Sequence, residues 1–267
     1  MAKTVIFDGR EFASKKEEAL IPKMIDLTEK GVIPHLVSIL VDENPASVLY
    51  TDLKKKAVGR MGGEMTIVSL SLSISNEKII EAIEFYNNDP EIQGIMVQMP
   101  LPNSLANSKS QILNSIKPEK DVDGLRDNSP FVHPTAKAVM DILDFANGHL
   151  DMSSKLTASV IGSTGMVGRS VCKELKKKSY KVVECGVNTS TLKGETLQGD
   201  ILISATGSPK IISEDMIKEN AIIIDVGSPK GDCVLNFNSK ASFITPVPGG
   251  VGPVTIACLL ENLVSAC

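Results

Sequence analysis

A short apolar run followed directly by a helix start constrains the fold of this chain most. Leu36 to Val41 reads Leu-Val-Ser-Ile-Leu-Val, and Asn44-Pro45 follows two acidic residues later. The run predicts a buried strand, because its length suits a strand and both of its faces are apolar. Asn44 is a favoured N-cap and Pro45 a favoured first helical residue. A helix that starts where a strand ends predicts a ligand-binding edge in an α/β fold.

The same alternation of strands and helices continues along the chain and predicts an α/β fold with mostly parallel sheets. In the first half it predicts a short N-terminal strand, further strands over 65–72 and 92–98, and helices over 13–30, 75–88 and 103–116. In the second half it predicts strands over 156–161, 181–185 and 221–226, a strand starting at 201, and helices over 134–147, 169–178 and 254–264. We expect two domains, with residues 1–134 plus 253–267 in the first, residues 135–252 in the second, and a cleft between them.

Composition excludes several classes of function. The formal net charge of −4 over 267 residues argues against nucleic-acid binding. The five cysteines are scattered and show no C-x-x-C spacing, which favours free thiols in a reducing compartment over disulfides or zinc. No apolar segment is long enough for a membrane span or resembles a signal peptide, so we expect a cytoplasmic protein. We expect no metal site, since the three histidines are far apart and the acidic pair before Gly124 lacks the other ligands of a calcium loop. Alternatively, a carboxylate of this pair hydrogen-bonds a heterocycle.

Tyr50 and Lys54 are four residues apart on the predicted helix after Pro45, so their side chains leave the same face. The ring of Tyr50 offers a flat surface for stacking. The amine of Lys54 becomes a proton acceptor if burial or neighbouring cations lower its pKa. Gln98 ends the strand over 92–98 and would lie near this helix, where its amide could hold the lysine. Alternatively, the Tyr/Lys pair is an ordinary surface feature and Gln98 an ordinary loop amide.

A glycine-rich turn follows the first strand of the second half. The segment from Gly162 to Gly168 reads Gly-Ser-Thr-Gly-Met-Val-Gly and precedes a predicted helix. Such a turn lets a phosphate approach the backbone N–H groups at a helix N-terminus, which predicts nucleotide binding. A ribose-binding carboxylate is expected about 20 residues later, and Glu184 is the acid there, although it lies inside the strand. Thr206-Gly207 and Gly227-Ser228 end later strands and would also meet the nucleotide.

The chain resembles the bifunctional methylenetetrahydrofolate dehydrogenase/methenyltetrahydrofolate cyclohydrolase family over nearly its whole length. Five separate segments carry the resemblance and occur in the family's order: Asn44 to Ser47 with Tyr50, Lys54 and Lys56; Val97 to Pro102; Lys120-Asp121-Val122-Asp123-Gly124; Asp225-Val226-Gly227; and Thr245 to Pro253. The resemblance implies an N-terminal folate-binding catalytic domain and a C-terminal Rossmann-like domain that binds NADP.

The resemblance also implies two reactions in one cleft. Hydride passes from 5,10-methylenetetrahydrofolate to NADP, and the resulting 5,10-methenyltetrahydrofolate is hydrolysed to 10-formyltetrahydrofolate. Lys54 would move protons with Gln98 holding it, Tyr50 would stack on the folate, and Asp121 would bind the pterin edge. The implied substrate site further includes Val97, Pro100, Pro248, Gly249 and Gly250. The implied cofactor residues are Gly162, Ser163, Thr164, Val167, Gly168, Val187, Thr206, Gly207, Gly227 and Ser228. The family is usually dimeric, so we expect a homodimer.

Three segments depart from the family pattern. Gly162-Ser163-Thr164 stands where Gly-Arg-Ser is usual, and Gly186-Val187 where His-Ser is usual. These changes remove groups expected near the 2′-phosphate of NADP, so NAD is an alternative cofactor unless Asn188 or Lys193 takes over. The segment over 124–134 is shorter than is usual in the family, and His-Pro-Thr-Ala at 133–136 replaces the usual Pro-Cys-Thr-Pro. Two rival hypotheses are a monofunctional dehydrogenase and a non-catalytic nucleotide-binding regulator.

Overall fold

The structure, a computed structural model, describes residues 4–41, 44–126, 128–149, 156–234 and 240–267. The chain forms two compact units. The first, here called the six-stranded unit, comprises Met1–Ser14 and Thr135–Thr255. The second, here called the three-stranded unit, comprises Lys15–Pro134 and Ile256–Cys267.

Strands and helices alternate through most of the described chain. The strands are β1 (Val5–Ile6), β2 (His35–Val41), β3 (Glu64–Leu70), β4 (Gly94–Val97), β5 (Thr157–Ile161), β6 (Lys181–Cys185), β7 (Ile201–Ser204), β8 (Ile222–Asp225) and β9 (Phe243–Ile244). The helices are α1 (Gly9–Glu29), α2 (Pro45–Arg60), α3 (Asn76–Asn87), α4 (Lys109–Asn114), α5 (Pro134–His149), α6 (Met166–Lys177), α7 (Leu192–Thr196) and α8 (Val251–Ser265).

The three-stranded sheet has the order β3-β2-β4, and both of its strand pairs are parallel. Alternate residues of its central strand β2 point to opposite faces. Val37 and Ile39 pack in a core cluster with Ile79 and Ile83 of α3. Leu36 packs in a second cluster with residues of α2 and α8. Apolar residues on both faces of β2 therefore bury the middle of this sheet and fix α2 on one side of it.

The six-stranded sheet has the order β1-β9-β8-β7-β5-β6, and all of its strand pairs are parallel. From β5 the chain adds β6 on one side and β7, β8 and β9 on the other. The strand order thus reverses at β5. In open parallel sheets, ligands bind beyond the carboxyl ends of the strands at such a reversal.

The predicted α/β class with mostly parallel sheets is confirmed. The division of the chain differs from our expectation at two places, because the first 14 residues and residues 253–255 belong to the six-stranded unit. There β1 pairs with β9, and the ring of Phe7 packs against those of Phe145 and Phe243 at centroid distances of 5.4 and 5.7 Å. A two-residue strand has little local signal, and its position depends on these partners far along the sequence.

Several boundaries also differ. Helix α1 begins at Gly9 instead of residue 13, because Asp8 Oδ1 accepts hydrogen bonds from the backbone N–H groups of Arg10 and Glu11, both at 3.0 Å. The predicted helix over 103–116 is a 3-10 helix, Asn103–Ser108, followed by the short α4. Helix α8 starts at residue 251, three residues earlier than predicted. None of the helices among the described residues is long and apolar enough to cross a membrane.

Candidate active site

Lys54 lies on α2 with its side chain buried in the three-stranded unit. The residue is only 7% exposed, although Lys55 and Lys56 beside it are exposed. Its Nζ donates a hydrogen bond to Gln98 Oε1 at 3.0 Å and lies 3.7 Å from Met96 Sδ. The predicted contact between Gln98 and the lysine is therefore present. It forms because β4 ends beside β2, and α2 begins after β2 at the same edge of the sheet.

Gln98 is itself fixed in the loop after β4. Its backbone N–H donates to Ile39 O at 2.8 Å, which continues the pairing of β4 with β2. Its side-chain Nε2 donates to Met99 O at 2.8 Å, so Oε1 remains for Lys54. The prolines that follow limit the conformations of this loop. The amide that holds Lys54 is thus oriented by its own backbone and by its second side-chain contact.

Burial is the main cause of the unusual chemistry of Lys54. Removing the ammonium group from water lowers the pKa of Lys54, and the carboxylate of Asp123 opposes this effect by raising it. Desolvation is the largest cause of the shift, and the neighbouring cations Lys55 and Lys56 are not among its causes. A neutral hydrogen-bond acceptor, the amide of Gln98, holds the amine without stabilising its charge as a carboxylate would. Such an amine can accept a proton and release it again.

Asp121 does not have the exposure expected of a ligand-binding carboxylate. It is 0% exposed, and its two carboxylate oxygens accept hydrogen bonds from the backbone N–H groups of Leu125 and Arg126 at 3.3 and 3.0 Å. Burial raises the pKa of Asp121, while these donors act in the opposite direction. Ser129 Oγ donates to the backbone oxygen of Asp121 at 3.2 Å. The contacts of Asp121 stabilise the loop that follows it.

Asp123 and His133 are further charged or polar groups near Lys54, although the sequence motifs singled out Asp121 and not these two. Asp123 is partly exposed and acts electrostatically on both Lys54 and His133. Burial lowers the pKa of His133, the charge of Lys54 lowers it further, and Asp123 opposes both. Asn262 of α8 fixes the loop that carries these groups, because its Nδ2 donates to Val122 O and Val132 O, each at 2.9 Å. The acidic pair two residues apart was the sequence signal for Asp123.

The other residues predicted to bind substrate differ in their accessibility. Tyr50 is half-buried one turn before Lys54, and Pro100 is exposed in the loop after Gln98. The side chain of Val97 is fully buried in the core cluster that faces α3, so only its backbone is placed to meet a ligand. Pro248 to Gly250 belong to the six-stranded unit, where Gly9 N donates to Gly249 O at 3.0 Å. Their assignment to the folate site stays a prediction.

The predicted phosphate-binding turn links β5 to α6. Gly162 has a φ of +82°, and a Cβ atom there would lie 2.4 Å from Ala205 O. A Cβ atom at Gly168 would lie 2.1 Å from Gly162 O, so only glycine lets the helix approach the turn this closely. Gly165 is the N-cap of α6 and has no side chain to cap the helix. The first N–H groups of α6 are therefore available to an anion, and these residues fit a dinucleotide phosphate.

The end of β6 lacks the groups that usually hold a 2′-phosphate. Ser163 is 4% exposed, whereas Val187, which follows β6, is 93% exposed. Glu184 lies within β6 and accepts from Lys176, whose pKa this contact raises. Of the two sequence-based alternatives for phosphate binding, Asn188 is exposed, and the amine of Lys193 lies 2.6 Å from Asp215 Oδ2. Both lysines thus already have carboxylate partners.

The loops after β7 and β8 are joined by two buried carboxylates, Asp225 and Asp232. Asp225 Oδ1 accepts from Gly227 N at 2.8 Å and from Asp232 N at 3.1 Å. Asp232 Oδ2 accepts from Ser204 Oγ at 2.9 Å and from Thr206 N at 2.7 Å. These bonds fix the backbone of the two segments predicted to meet the cofactor, Thr206-Gly207 and Gly227-Ser228. The sequence analysis assigned no role to Asp232.

Comparison with known proteins agrees with both halves of this description. Residues 7–123 match the catalytic domain of tetrahydrofolate dehydrogenase/cyclohydrolase, and residues 133–267 match its NAD(P)-binding domain. The bifunctional FolD proteins of Streptococcus thermophilus and Bacillus subtilis are 39% and 37% identical to this chain. Each of these alignments covers 98% of the chain, with 97% of the Streptococcus protein and 96% of the Bacillus protein.

Solved structures give the same result. The bifunctional FolD enzyme of Campylobacter jejuni has a TM-score of 0.89 and 35% identity, covering 98% of both chains. The methylenetetrahydrofolate dehydrogenase-cyclohydrolase of Trypanosoma brucei, solved with NADP and an inhibitor, has a TM-score of 0.91 and 30% identity, covering 100% of this chain and 98% of its own. The resemblance seen in the sequence motifs is confirmed. This chain belongs to the tetrahydrofolate dehydrogenase/cyclohydrolase family, with a catalytic domain followed by an NAD(P)-binding domain.

Proposed function

We propose that this chain oxidises 5,10-methylenetetrahydrofolate to 5,10-methenyltetrahydrofolate with an NAD(P) cofactor and hydrolyses the product to 10-formyltetrahydrofolate. One observation carries the second activity: a buried lysine, Lys54, has a lowered pKa and its amine is held 3.0 Å from Gln98 Oε1. A non-catalytic nucleotide-binding regulator would have no need of a desolvated amine. A monofunctional dehydrogenase would have no need of a group that exchanges protons.

In the proposed hydrolysis, Lys54 transfers protons between water and the folate. Water adds to the cationic methenyl carbon, and the neutral amine of Lys54 takes the proton that this water loses. The bond from that carbon to N5 then breaks as the lysine returns the proton to N5. The added oxygen becomes the formyl carbonyl, and its remaining proton is released to solvent. Burial favours the neutral form that the first step requires. Gln98 keeps the amine in position during both transfers.

In the proposed oxidation, the protein positions the folate and binds the dinucleotide. When bound, NAD(P) supplies the nicotinamide that accepts hydride from the methylene carbon. The first N–H groups of α6 would hold its phosphates, with Gly162 and Gly168 allowing the close approach. Tyr50, half-buried one turn from Lys54, would stack on the folate ring system.

We propose that Asp123 takes the pterin-binding role that the sequence resemblance implied for Asp121. Asp123 is partly exposed and acts electrostatically on Lys54, whereas Asp121 is fully buried and hydrogen-bonded to its own loop. A carboxylate can accept hydrogen bonds from the amine and ring N–H groups at the pterin edge. Asp121 would then stabilise the loop that presents Asp123.

NAD is the cofactor that the end of β6 favours. Val187 offers no hydrogen bond to a 2′-phosphate, and Ser163 is buried. Lys193 is paired with Asp215, and the exposed side chain of Asn188 is an uncharged amide. The Trypanosoma brucei relative was solved with NADP, so use of both cofactors is the second candidate. We propose that the chain uses NAD at least as well as NADP.

We also propose that the chain is a homodimer of the cytoplasm, as expected from its family and its composition. The described structure supports the compartment through its cysteines, all five of which are free thiols. Size-exclusion chromatography with light scattering tests the dimer, and a monomer at micromolar concentration would contradict it.

Replacing Lys54 with Met should separate the two activities. We expect hydrolysis of methenyltetrahydrofolate to fall by about 10²-fold or more, since general acid–base catalysis contributes this much. Oxidation of methylenetetrahydrofolate should persist, because hydride transfer needs no proton acceptor. Loss of methenyl absorbance and gain of reduced-cofactor absorbance measure the two rates. The matched control is Lys55→Met, on the exposed face of the helix, which should keep both activities. Full hydrolysis activity in Lys54→Met would refute the role assigned to Lys54.

The same variant should be more stable than the parent, because the buried amine costs free energy when protonated. Burial lowers the pKa of Lys54 in the folded state below its ordinary value of 10.5, which the unfolded state keeps. At pH values between these two pKa values, the unfolded chain therefore binds more protons at Lys54 than the folded chain does. The stability of the parent should thus rise with pH across that window. We expect the advantage of Lys54→Met in unfolding free energy to be largest below the folded pKa and to vanish above 10.5. Urea unfolding at a series of pH values measures it; a constant difference would contradict the account.

Substitution of Asp123 should affect substrate binding, whereas substitution of Asp121 should affect stability. Asp123→Asn should raise the KM for methylenetetrahydrofolate on the order of tenfold, the typical effect of losing a hydrogen bond to a charged group. Asp121→Asn should keep this KM but lower the free energy of unfolding by about 1–3 kcal/mol, because buried N–H groups lose a charged acceptor. Steady-state kinetics and urea unfolding of both variants decide between them. A raised KM in Asp121→Asn with an unchanged KM in Asp123→Asn would show that Asp121 binds the pterin.

Cofactor preference can be reversed at one exposed position. We expect the parent to have a kcat/KM for NAD at least equal to that for NADP. Val187→Arg should increase the NADP/NAD ratio of kcat/KM on the order of tenfold, because a guanidinium binds a phosphate in a bidentate manner. Val187→Gln, which adds length without charge, should leave the ratio near that of the parent. A parent that strongly prefers NADP would show that other residues bind the 2′-phosphate.

A further inference from the structure

Asp232 holds the backbone of the loop after β7 with only one of its carboxylate oxygens. Oδ2 accepts from Ser204 Oγ and Thr206 N, as described above. Oδ1 has no hydrogen-bond donor among the described residues, and the side chain is 0% exposed. Leaving a buried carboxylate oxygen without a donor costs free energy. A purely structural link between the two loops would be made at least as well by a neutral side chain.

Asp232 Oδ1 lies at the strand ends where the nicotinamide half of the cofactor is expected. A Cβ atom at Gly227 would lie 2.8 Å from Asp232 Oδ1, so the oxygen lies beside the backbone that follows β8. The turn after β5 fits the phosphates, and the residue after β6 is where the adenosine ribose is bound in such sheets. The strands β7 and β8 lie on the other side of β5. The nicotinamide half of the dinucleotide therefore belongs at the ends of β7 and β8.

Asp225 ends β8 at the same edge, but its charge is better compensated. Its Oδ1 accepts two backbone N–H groups, and its Oδ2 accepts from Cys233 N at 2.9 Å. Both oxygens of Asp225 thus have donors, whereas the described part of the chain supplies donors to one oxygen of Asp232. The less compensated negative charge at this edge is that of Asp232.

We propose that Asp232 makes the cofactor site prefer the oxidised dinucleotide over the reduced one. The oxidised nicotinamide ring carries a positive charge and the reduced ring is neutral. A carboxylate in a poorly solvated setting therefore stabilises the oxidised form selectively. The effect favours binding of the oxidant and release of the reduced product in the oxidation reaction. The inference rests on the proposed NAD(P)-dependent oxidation.

Equilibrium binding to the full-length protein tests the proposal without turnover. The dissociation constant of NADH is measured from the fluorescence of its reduced ring, and that of NAD from displacement of NADH. Asp232→Asn keeps an oxygen to accept from Thr206 and Ser204 but removes the charge. We expect the ratio of the NAD constant to the NADH constant to rise on the order of fivefold. Equal weakening of both forms, or an unchanged ratio, would overturn the proposal.

Asp200→Asn is the matched control. Asp200 lies just before β7, at the opposite edge of the sheet, where its Oδ1 is 2.6 Å from Lys218 Nζ. Removing its charge should leave the ratio unchanged, and an equal shift in this variant would also overturn the proposal. Circular dichroism and urea unfolding report whether each variant is folded. Failure of the proposed function and failure of this inference are distinguishable. If the parent protein shows no oxidation activity but Asp232→Asn still raises the ratio of the two dissociation constants, only the proposed function fails.

A second variant keeps the test decisive if Asp232→Asn does not fold. Ser204→Ala removes one donor from Asp232 and retains its charge, so that charge is compensated less. The preference for NAD over NADH should then increase on the order of twofold. A decrease, or no change, would contradict the proposed role of the charge.

Discussion

Burial of one amine is the constraint on which the proposed chemistry of this protein depends. An ammonium group in a protein interior is stabilised by a carboxylate or it loses its proton. Lys54 has the neutral oxygen of Gln98 as its hydrogen-bond acceptor at 3.0 Å, and Asp123 acts on it only electrostatically. The surroundings of the amine thus lower its pKa while still fixing its position. The same features that destabilise the charged form make the neutral form available for proton transfer.

The fold supplies this arrangement through the geometry of parallel strands. The strands β2 and β4 are neighbours, so the helix after β2 and the loop after β4 emerge at the same edge. Lys54 lies on that helix and Gln98 in that loop. The same geometry recurs in the six-stranded unit, where the turn after β5 and the loops after β7 and β8 share one edge. Each unit therefore brings together functional groups from parts of the chain that are far apart in sequence.

Much of this could be predicted from the sequence, for physical reasons that particular residues illustrate. Lys54 and Gln98 were paired because a helix start and a strand end were both recognisable, and parallel sheets bring such ends together. The glycine-rich turn was recognisable because it lies between a strand and a helix. The sequence placed the segment of β1 in the first domain, but β1 belongs to the six-stranded unit because it pairs with β9 across almost the whole chain. Local periodicity carries no information about such a partner.

The two aspartates show a second limit of the sequence. Asp121 and Asp123 are the same residue type in the same motif, and only the path of the loop distinguishes them. Gly124 has a φ of +63° and turns the chain so that backbone N–H groups meet Asp121 while Asp123 stays partly exposed. Asp232 was missed for a similar reason, since its donors lie on segments that become neighbours only in the folded sheet.

The most direct test of the account is the pKa of Lys54 itself. NMR of the protein labelled with ¹³C and ¹⁵N at lysine follows the Cε and Nζ resonances of each lysine during a pH titration, and Lys54→Met identifies the resonance of Lys54. We expect Lys54 to titrate clearly below 10.5, separated from the exposed Lys55. Titration of Lys54 together with the exposed lysines would contradict the claim that burial makes this amine a proton acceptor.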